Sequence, residues 1–343
     1  MKAIVCEKYG SPEVLQLQEV AKPSPKENEV LVKVHAASVT TADTMIRQGT
    51  PFYGRLFIGL FKPKHSIMGT GFAGVVEAIG EHVSQFEMGQ EVFGETALGF
   101  GANAEYVCVP EDGVITTKSS NITFQEAAPI CDGALTSFNF LKELAKVKLG
   151  QKVLIIGASG SLGTAAVQLA KAFGAEVTGV CSSRNVALVK SLGADHVIDY
   201  LKEDFRLNNS TYDIIYDTVG KSSFSQCKSS LSVNGLYLSP VLNMRLLFQM
   251  IWTTKSKKKA LFEATGLKKP VELREMLKEL KLMIENNLFS TVVGREYQLE
   301  QIAEAHRYID RGHKVGNVVV NIIHNESDLV STEDEQKVLT NTH

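Results

Sequence analysis

Apolar positions along this chain change their period near Thr123. Before that point, short β-rich runs at 3–6, 14–18, 29–34 and 75–79 are separated by proline and glycine. Another run at 104–109 follows a turn-rich stretch ending at Ala102. Gly69, Gly71 and Gly74 predict a close backbone approach or a bulge. Thr123 and Glu126 form a capping-box pattern, and helical spacing runs from Gly133 through Leu135, Phe138, Leu141 and Leu144 to Gly150. From residue 152 strands and helices alternate. Residues 153–156 and 177–180 read as buried strands flanking a helix with Ala166, Leu169, Ala170 and Phe173 on one side. Residues 196–198, 214–217 and 235–238 are further candidate parallel strands, the pattern of a doubly wound α/β sheet. Amphipathic helices at 271–287 and 299–311, a strand at 317–323 and a polar tail complete the chain.

The turn between the first parallel strand and its helix carries the clearest chemistry. Gly157, Ser159, Gly160, Ser161, Leu162 and Gly163 stand where a dinucleotide pyrophosphate meets the first amides of a helix. The spacing is G-x-x-G-x-x-G, so context has to support the reading: strand before, helix after, second strand on schedule. The alternative is a βα turn whose glycines only permit close packing. An NAD site places an acid about 20 residues past the glycines. Here the second strand ends in Cys181, Ser182, Ser183 and Arg184. Two hydroxyls and a guanidinium suit a 2′-phosphate, which makes NADPH the expected cofactor; a helix cap and a solvated arginine are the alternative.

Composition narrows the class. The chain has 343 residues, 44% hydrophobic and 22% charged, with a formal net charge of -2. That length allows two domains with substantial cores, and the charge gives no reason to expect nucleic-acid binding. Five cysteines lie singly, without a C-x-x-C pair, and the first ten residues lack an apolar leader core. The expectation is a cytoplasmic protein in a reducing compartment. Residues 241–252 are strongly apolar and are followed by Lys255, Lys257, Lys258 and Lys259. The segment 241–259 reads either as a buried helix with solvated lysines or as a flap touching anionic lipid, a peripheral membrane contact.

These features resemble the medium-chain dehydrogenase/reductase superfamily, in its zinc-free quinone oxidoreductase branch, including its reticulon-4-interacting and chloroplast-envelope members. The likeness rests on the opening residues 1–20, on GFAGVVEAIG and FEMGQEVFG, on GANAEY with Asn103 in place of tyrosine, and on AEAHRYIDRGHKVGNVVV with Asn317 where lysine is common. It implies a GroES-like β-rich catalytic domain at 1–123 and 291–325, a Rossmann cofactor-binding domain at 124–290, and a polar tail at 326–343. It also implies a cleft between the domains, the Ser182-Ser183-Arg184 trio as a 2′-phosphate clamp, and Asp217 to Gly220, including Val219, beneath the nicotinamide ribose. Zinc relatives carry Cys or His near residues 38–49 and His-Glu after Gly69. This chain has Thr40, Thr41, Asp43, Thr70 and Gly71 at those places, so no metal site is expected.

Without a metal, the resemblance implies hydride delivery to a quinone or an α,β-unsaturated carbonyl (enone or enal) rather than alcohol oxidation. Thr40, Asp43, Phe52 and Tyr53 are the candidates for the acceptor cleft. Tyr53 reads as a hydrogen-bond or proton donor, or as cleft wall; Asp43 reads equally as a structural acceptor for backbone amides. The other function classes are a non-catalytic, crystallin-like or regulatory NADPH-binding protein and a zinc-type alcohol dehydrogenase. A homodimer, paired at the edge of the Rossmann sheet, is the family-level expectation.

Overall fold

The computed structural model describes residues 1–96, 99–208 and 210–322. The polar tail at 326–343 lies outside the described residues.

The first part of the chain is β-rich, as its short apolar runs predict. Strands β1 (Lys2–Cys6) and β2 (Leu15–Glu19) form an antiparallel ribbon. Next come β3 (Glu29–Val39), helices α1 (Thr41–Gln48) and α2 (Arg55–Ile58), then β4 (Gly71–Ile79), β5 (Glu91–Glu95), β6 (Tyr106–Pro110) and β7 (Val114–Thr117). Strand β4 presses so closely on β3 that a Cβ on Gly74 would lie 2.0 Å from the Lys33 carbonyl oxygen. The ladder also shifts register between Val34 and Ala36, so close approach and bulge occur together. Helix α1 was not apparent from apolar spacing. It is set by a capping box between Thr40 and Asp43 and ends at Gly49, whose φ of 65° is left-handed.

Thr123 and Glu126 form the expected capping box at the start of α3 (Phe124–Ala127). The helical run beyond it is not regular. A π-helical turn, Ile130–Ala134, precedes α4 (Leu135–Phe138), and a second one, Asn139–Leu144, follows it. Pro129 caps the first of these turns. Having no amide hydrogen, it interrupts the helical ladder just where the wider turn begins.

The alternating middle of the chain gives β8 (Lys152–Ile156), α5 (Ser161–Ala172), β9 (Glu176–Cys181), α6 (Val186–Ser191), β10 (His196–Asp199), β11 (Tyr212–Asp217), α7 (Phe224–Cys227), β12 (Leu231–Leu238), α8 (Met244–Thr253) and β13 (Lys259–Leu261). Their strands form one six-stranded sheet in the order β10-β9-β8-β11-β12-β13, with every pairing parallel. The β8 core residues Val153, Leu154 and Ile155 are fully buried, as a strand covered on both faces must be. Helix α8 occupies the apolar 241–252 stretch but is not a buried helix. Among its residues Leu246 and Thr253 are buried, while Met244, Phe248, Ile251 and Trp252 are exposed.

The last elements are α9 (Pro270–Glu285), β14 (Val293–Gln298), α10 (Ile302–Asp310) and β15 (Asn317–Asn321). Strand β15 pairs antiparallel with β3, which carries the C-terminal segment back into the first sheet, ordered β14-β15-β3-β4-β5-β7 with β6 on β3. The return brings residues 311–317 across the glycine turn. Gly316 bridges Gly160 and donates its amide to the Ser159 carbonyl at 2.8 Å.

Candidate active site

The three glycines of the dinucleotide turn do different work. Gly157 has φ of 79°, and a Cβ there would stand 2.7 Å from Val219 Cγ1. Gly163 packs the first turn of α5 on the loop, since its Cβ would fall 2.0 Å from the Gly157 carbonyl oxygen. Gly160 is the open one, with no atom closer to a built Cβ than the Gly157 carbonyl oxygen at 3.5 Å. As N-cap of α5 it offers no side-chain acceptor, so the first helix amides remain available to an anion. Ser159 and Ser161 are buried and fix the turn. Asn185 Nδ2 donates to Ser159 Oγ at 2.8 Å, and Ser161 Oγ donates to Asn317 Oδ1. Leu162 is half-buried against the core behind the turn. This cradle fits a dinucleotide pyrophosphate.

At the ribose end the three clamp candidates point differently. Ser182 is buried and Arg184 exposed, its guanidinium reaching the His313 carbonyl at 3.3 Å. Ser183 Oγ donates at 2.5 Å to Asp199, at the end of neighbouring β10. That hydrogen bond, with the Leu201 amide and Lys202, holds the Asp199 carboxyl below the usual range. Asp199 is the residue that the sequence reading missed: it belongs to the next strand, and only the parallel pairing of β9 and β10 brings it here. Asp217 is fully buried. It accepts from the amides of Val219, Gly220 and Ser222 and from the Tyr237 hydroxyl, so it shapes the 217–222 loop and leaves half-exposed Val219 bordering the glycine turn.

Of the acceptor-cleft candidates, Thr40 and Asp43 come together and Tyr53 does not join them. Asp43 Oδ2 accepts from the Thr40 amide at 2.8 Å and hydroxyl at 2.7 Å. The structural-acceptor reading therefore holds for that oxygen, while Asp43 Oδ1 is buried without a partner. Tyr53 and Phe52 sit on the turn Phe52–Gly54, largely exposed.

The structure adds charged neighbours that no motif announced. Ser38 Oγ donates to Asp132 Oδ2. Burial, then the nearby Asp43 charge, pushes the Asp132 carboxyl up to about 7. Burial and the charge of Asp132 push Glu95 up to about 8. Lys314, in the segment crossing the glycine turn, is held below its usual value by burial, against the attraction of Asp132 and Asp43.

A family model for the alcohol dehydrogenase GroES-like domain matches residues 26–119, and one for zinc-binding dehydrogenase matches residues 192–320. Quinone oxidoreductase of Homo sapiens is 31% identical over 322 residues, covering 91% of this chain and 94% of that protein. The 2-methylene-furan-3-one reductase of Solanum lycopersicum is 31% identical over 340 residues, covering 94% of this chain and 79% of that protein. Escherichia coli quinone oxidoreductase, solved in complex with NADPH, matches with a TM-score of 0.80 and 25% identity, covering 94% of this chain and 100% of that one. The chain belongs to the medium-chain dehydrogenase/reductase superfamily. Within that superfamily of oxidoreductases it is a member of the quinone oxidoreductase branch.

One family description names zinc, and the described residues around Gly71 can be tested against it. A Cβ on Gly71 would meet Ser38 Oγ at 2.4 Å, the Ala128 carbonyl oxygen at 2.8 Å and Asp132 Oδ2 at 3.0 Å, so no ligating side chain fits at that place. Among the described residues, the one group of three His, Cys, Asp or Glu side chains with ligand atoms within 4.8 Å of one another is Glu27, Glu81 and His82, exposed in the loops flanking β3 and β4. A catalytic zinc needs three protein ligands and an open position. The residues around Asp43 and Asp132 do not fit one.

Proposed function

We propose that this protein is an NADPH-dependent, zinc-independent oxidoreductase that reduces a quinone or an α,β-unsaturated carbonyl by two electrons. The observation that carries the reading is one juxtaposition: an open glycine cradle at the uncapped start of α5, beside a cluster of carboxylates and one lysine that lacks a zinc ligand set. The bound nicotinamide supplies the hydride. Gly157, Gly160, Gly163 and the amides of Ser161 and Leu162 receive the pyrophosphate, Val219 borders the ribose, and Ser182, Ser183 and Arg184 receive the 2′-phosphate. A conjugated acceptor spreads the charge it gains, so it needs orientation and a few donors more than a Lewis acid. Thr40 lines the acceptor cleft in this reading, held by the sealed Asp43 behind it, and Tyr53 stays outside on its exposed turn.

The names of the human and tomato relatives, a quinone oxidoreductase and an enone-type reductase, support the acceptor class. Among the described residues no helix is long and apolar enough to cross a membrane. A cytoplasmic setting remains our reading from the scattered, free cysteines. The exposed apolar side of α8, followed by exposed Lys255, Lys257 and Lys259, supports a peripheral contact with anionic lipid. The terminal strand β13 supports homodimerisation by edge pairing. Co-sedimentation with phosphatidylserine vesicles, and its loss in Trp252→Ser, tests the lipid contact; binding equal to that on neutral vesicles removes it.

A panel of acceptors tests the activity. NADPH oxidation is expected with quinones and enones. Turnover confined to simple alcohols with NADP, and dependent on added zinc, overturns the reading.

A further inference from the structure

We propose that Asp132, with Lys314 set against it, is the acid that gives the reduced acceptor its proton; the assignment rests on the reductase reading above. Four observations support the assignment. The first is the backbone. Asp132 sits on the π-helical turn Ile130–Ala134, and the next residue, Gly133, packs so tightly on α5 that a Cβ would lie 2.6 Å from Ser161 Oγ. The turn carrying the carboxyl is therefore pressed against the first residue of the cofactor helix. The second is the space in front of Gly71, which Ser38 Oγ and Asp132 Oδ2 occupy at 2.4 and 3.0 Å from a built Cβ. The absent side chain makes room for this acid.

The third observation is an unmet electrostatic demand. Asp43 is sealed, 1% exposed, and its Oδ1 has no hydrogen-bond partner among the described residues, whereas Asp132 keeps partial access to solvent. Asp132 is thus the member of the pair that can exchange a proton. The fourth is the position of Lys314. Its neighbours in sequence are tied to the cofactor end: the His313 carbonyl accepts from Arg184, and the Gly316 amide donates to Ser159 at 2.8 Å. Lys314 is held by that segment within electrostatic reach of both Asp132 and Asp43. The charged groups facing Asp132 are Asp43 from α1, Glu95 from β5 and Lys314, with the Ser38 hydroxyl from β3 as its hydrogen-bond donor and the neutral Cys131 thiol beside it.

The step balances. The acceptor carbon gains a hydride from the reduced nicotinamide, and the displaced π electron pair moves to the acceptor oxygen. The O–H bond of Asp132 breaks, the proton joins that oxygen, and the carboxylate left behind is stabilised by Lys314 until water returns a proton. Two electrons leave the nicotinamide and two enter the acceptor. A carboxyl pushed up to about 7 still carries much of its proton near neutral pH. Activity that needs this proton falls as pH rises through that value. Lys314 acts as a positioning residue: its positive charge favours the carboxylate, so removing it moves the fall to higher pH.

The test compares wild type, Asp132→Asn and Lys314→Met in three readouts: NADPH binding by fluorescence, the pH profile of kcat with a quinone, and infrared titration of protonated carboxyl groups in the protein without cofactor. Asp132→Asn is expected to bind NADPH as wild type does, to lose on the order of 100-fold in kcat, and to lose both the high-pH limb and the carboxyl band that titrates near neutrality. Lys314→Met is expected to keep the band and shift it, with the kinetic limb, to higher pH. Wild-type kcat and an unchanged limb in folded, NADPH-binding Asp132→Asn overturn the assignment while leaving the reductase reading intact. A wild-type protein inert towards every conjugated acceptor removes the reductase reading, and this role with it.

Discussion

Arg184 and Asp199 bring opposite charges to the ends of adjacent strands, and in the proposed site their balance decides between NADPH and NADH. Arg184 keeps guanidinium donors to spare beyond its bond to His313, whereas Asp199 takes the Ser183 hydroxyl that would otherwise face a 2′-phosphate. A charge-assisted hydrogen bond contributes about 1.5–3 kcal/mol. Arg184→Ala is therefore expected to weaken NADPH binding about tenfold to a hundredfold, with little change for NADH, as read by titration calorimetry. Asp199→Asn is expected to tighten NADPH, because the repulsion goes and Ser183 is released. Equal losses for both cofactors in Arg184→Ala would mean that the guanidinium does not meet the extra phosphate. Ser182 to Arg184 could be proposed from the sequence because they stand at the end of the strand that follows the glycine turn. Asp199 could not, since its relevance comes from strand order.

Helices α1 and α10 meet through an ion pair between buried Arg47 and exposed Asp310. Arg47 is fully buried and donates through Nη2 to Asp310 Oδ2 at 2.6 Å, while Gln48 Nε2 reaches Oδ1 at 3.2 Å. Arg47 Nε and Nη1 have no partner, and neither has either ring nitrogen of buried His306, one turn before Asp310. Burial, and the charge of Arg47, push that imidazole down to about 3 and keep it neutral. The pair ties α1, which begins at Thr40 and Asp43, to the helix that feeds the Lys314 segment. Removing the Asp310 charge leaves the buried guanidinium with a weaker acceptor, so Asp310→Asn is expected to cost about 1–3 kcal/mol in urea unfolding. A cost under about 1 kcal/mol would show that Arg47 finds another acceptor. Apolar spacing gave no sign of α1, because Arg47 and Asp43 occupy core positions of an eight-residue helix. Strands β5, β7, β13 and β14 were also missed. They are short, β13 starts in a lysine run, and β14, VGREYQ, is only half-buried, so none has the alternation that marks a strand.

Across the whole molecule, most of the parallel sheet was readable because β8, β9 and β12 are each followed by a glycine or polar break and a helix, whereas its edge strand β13 was not. The C-terminal return to the first sheet, through β15 on β3, entered the reading only through family likeness. Of the acid cluster, Asp43 was legible and its partners were not: Glu95, Asp132 and Lys314 come from three segments distant in sequence from the 38–43 stretch, and long-range strand pairing assembles them. One structural fact supports the metal-free proposal, the crowding at Gly71, and another the proposed dinucleotide, the open face of Gly160. The most direct measurement is a single turnover by chelator-treated protein with its metal content determined alongside. Stoichiometric NADPH is expected to bind and to lose its 340 nm absorbance when a quinone is added, with zinc far below one per chain. Failure to bind either NADPH or NADH, or oxidation that appears only when zinc is restored, would contradict this.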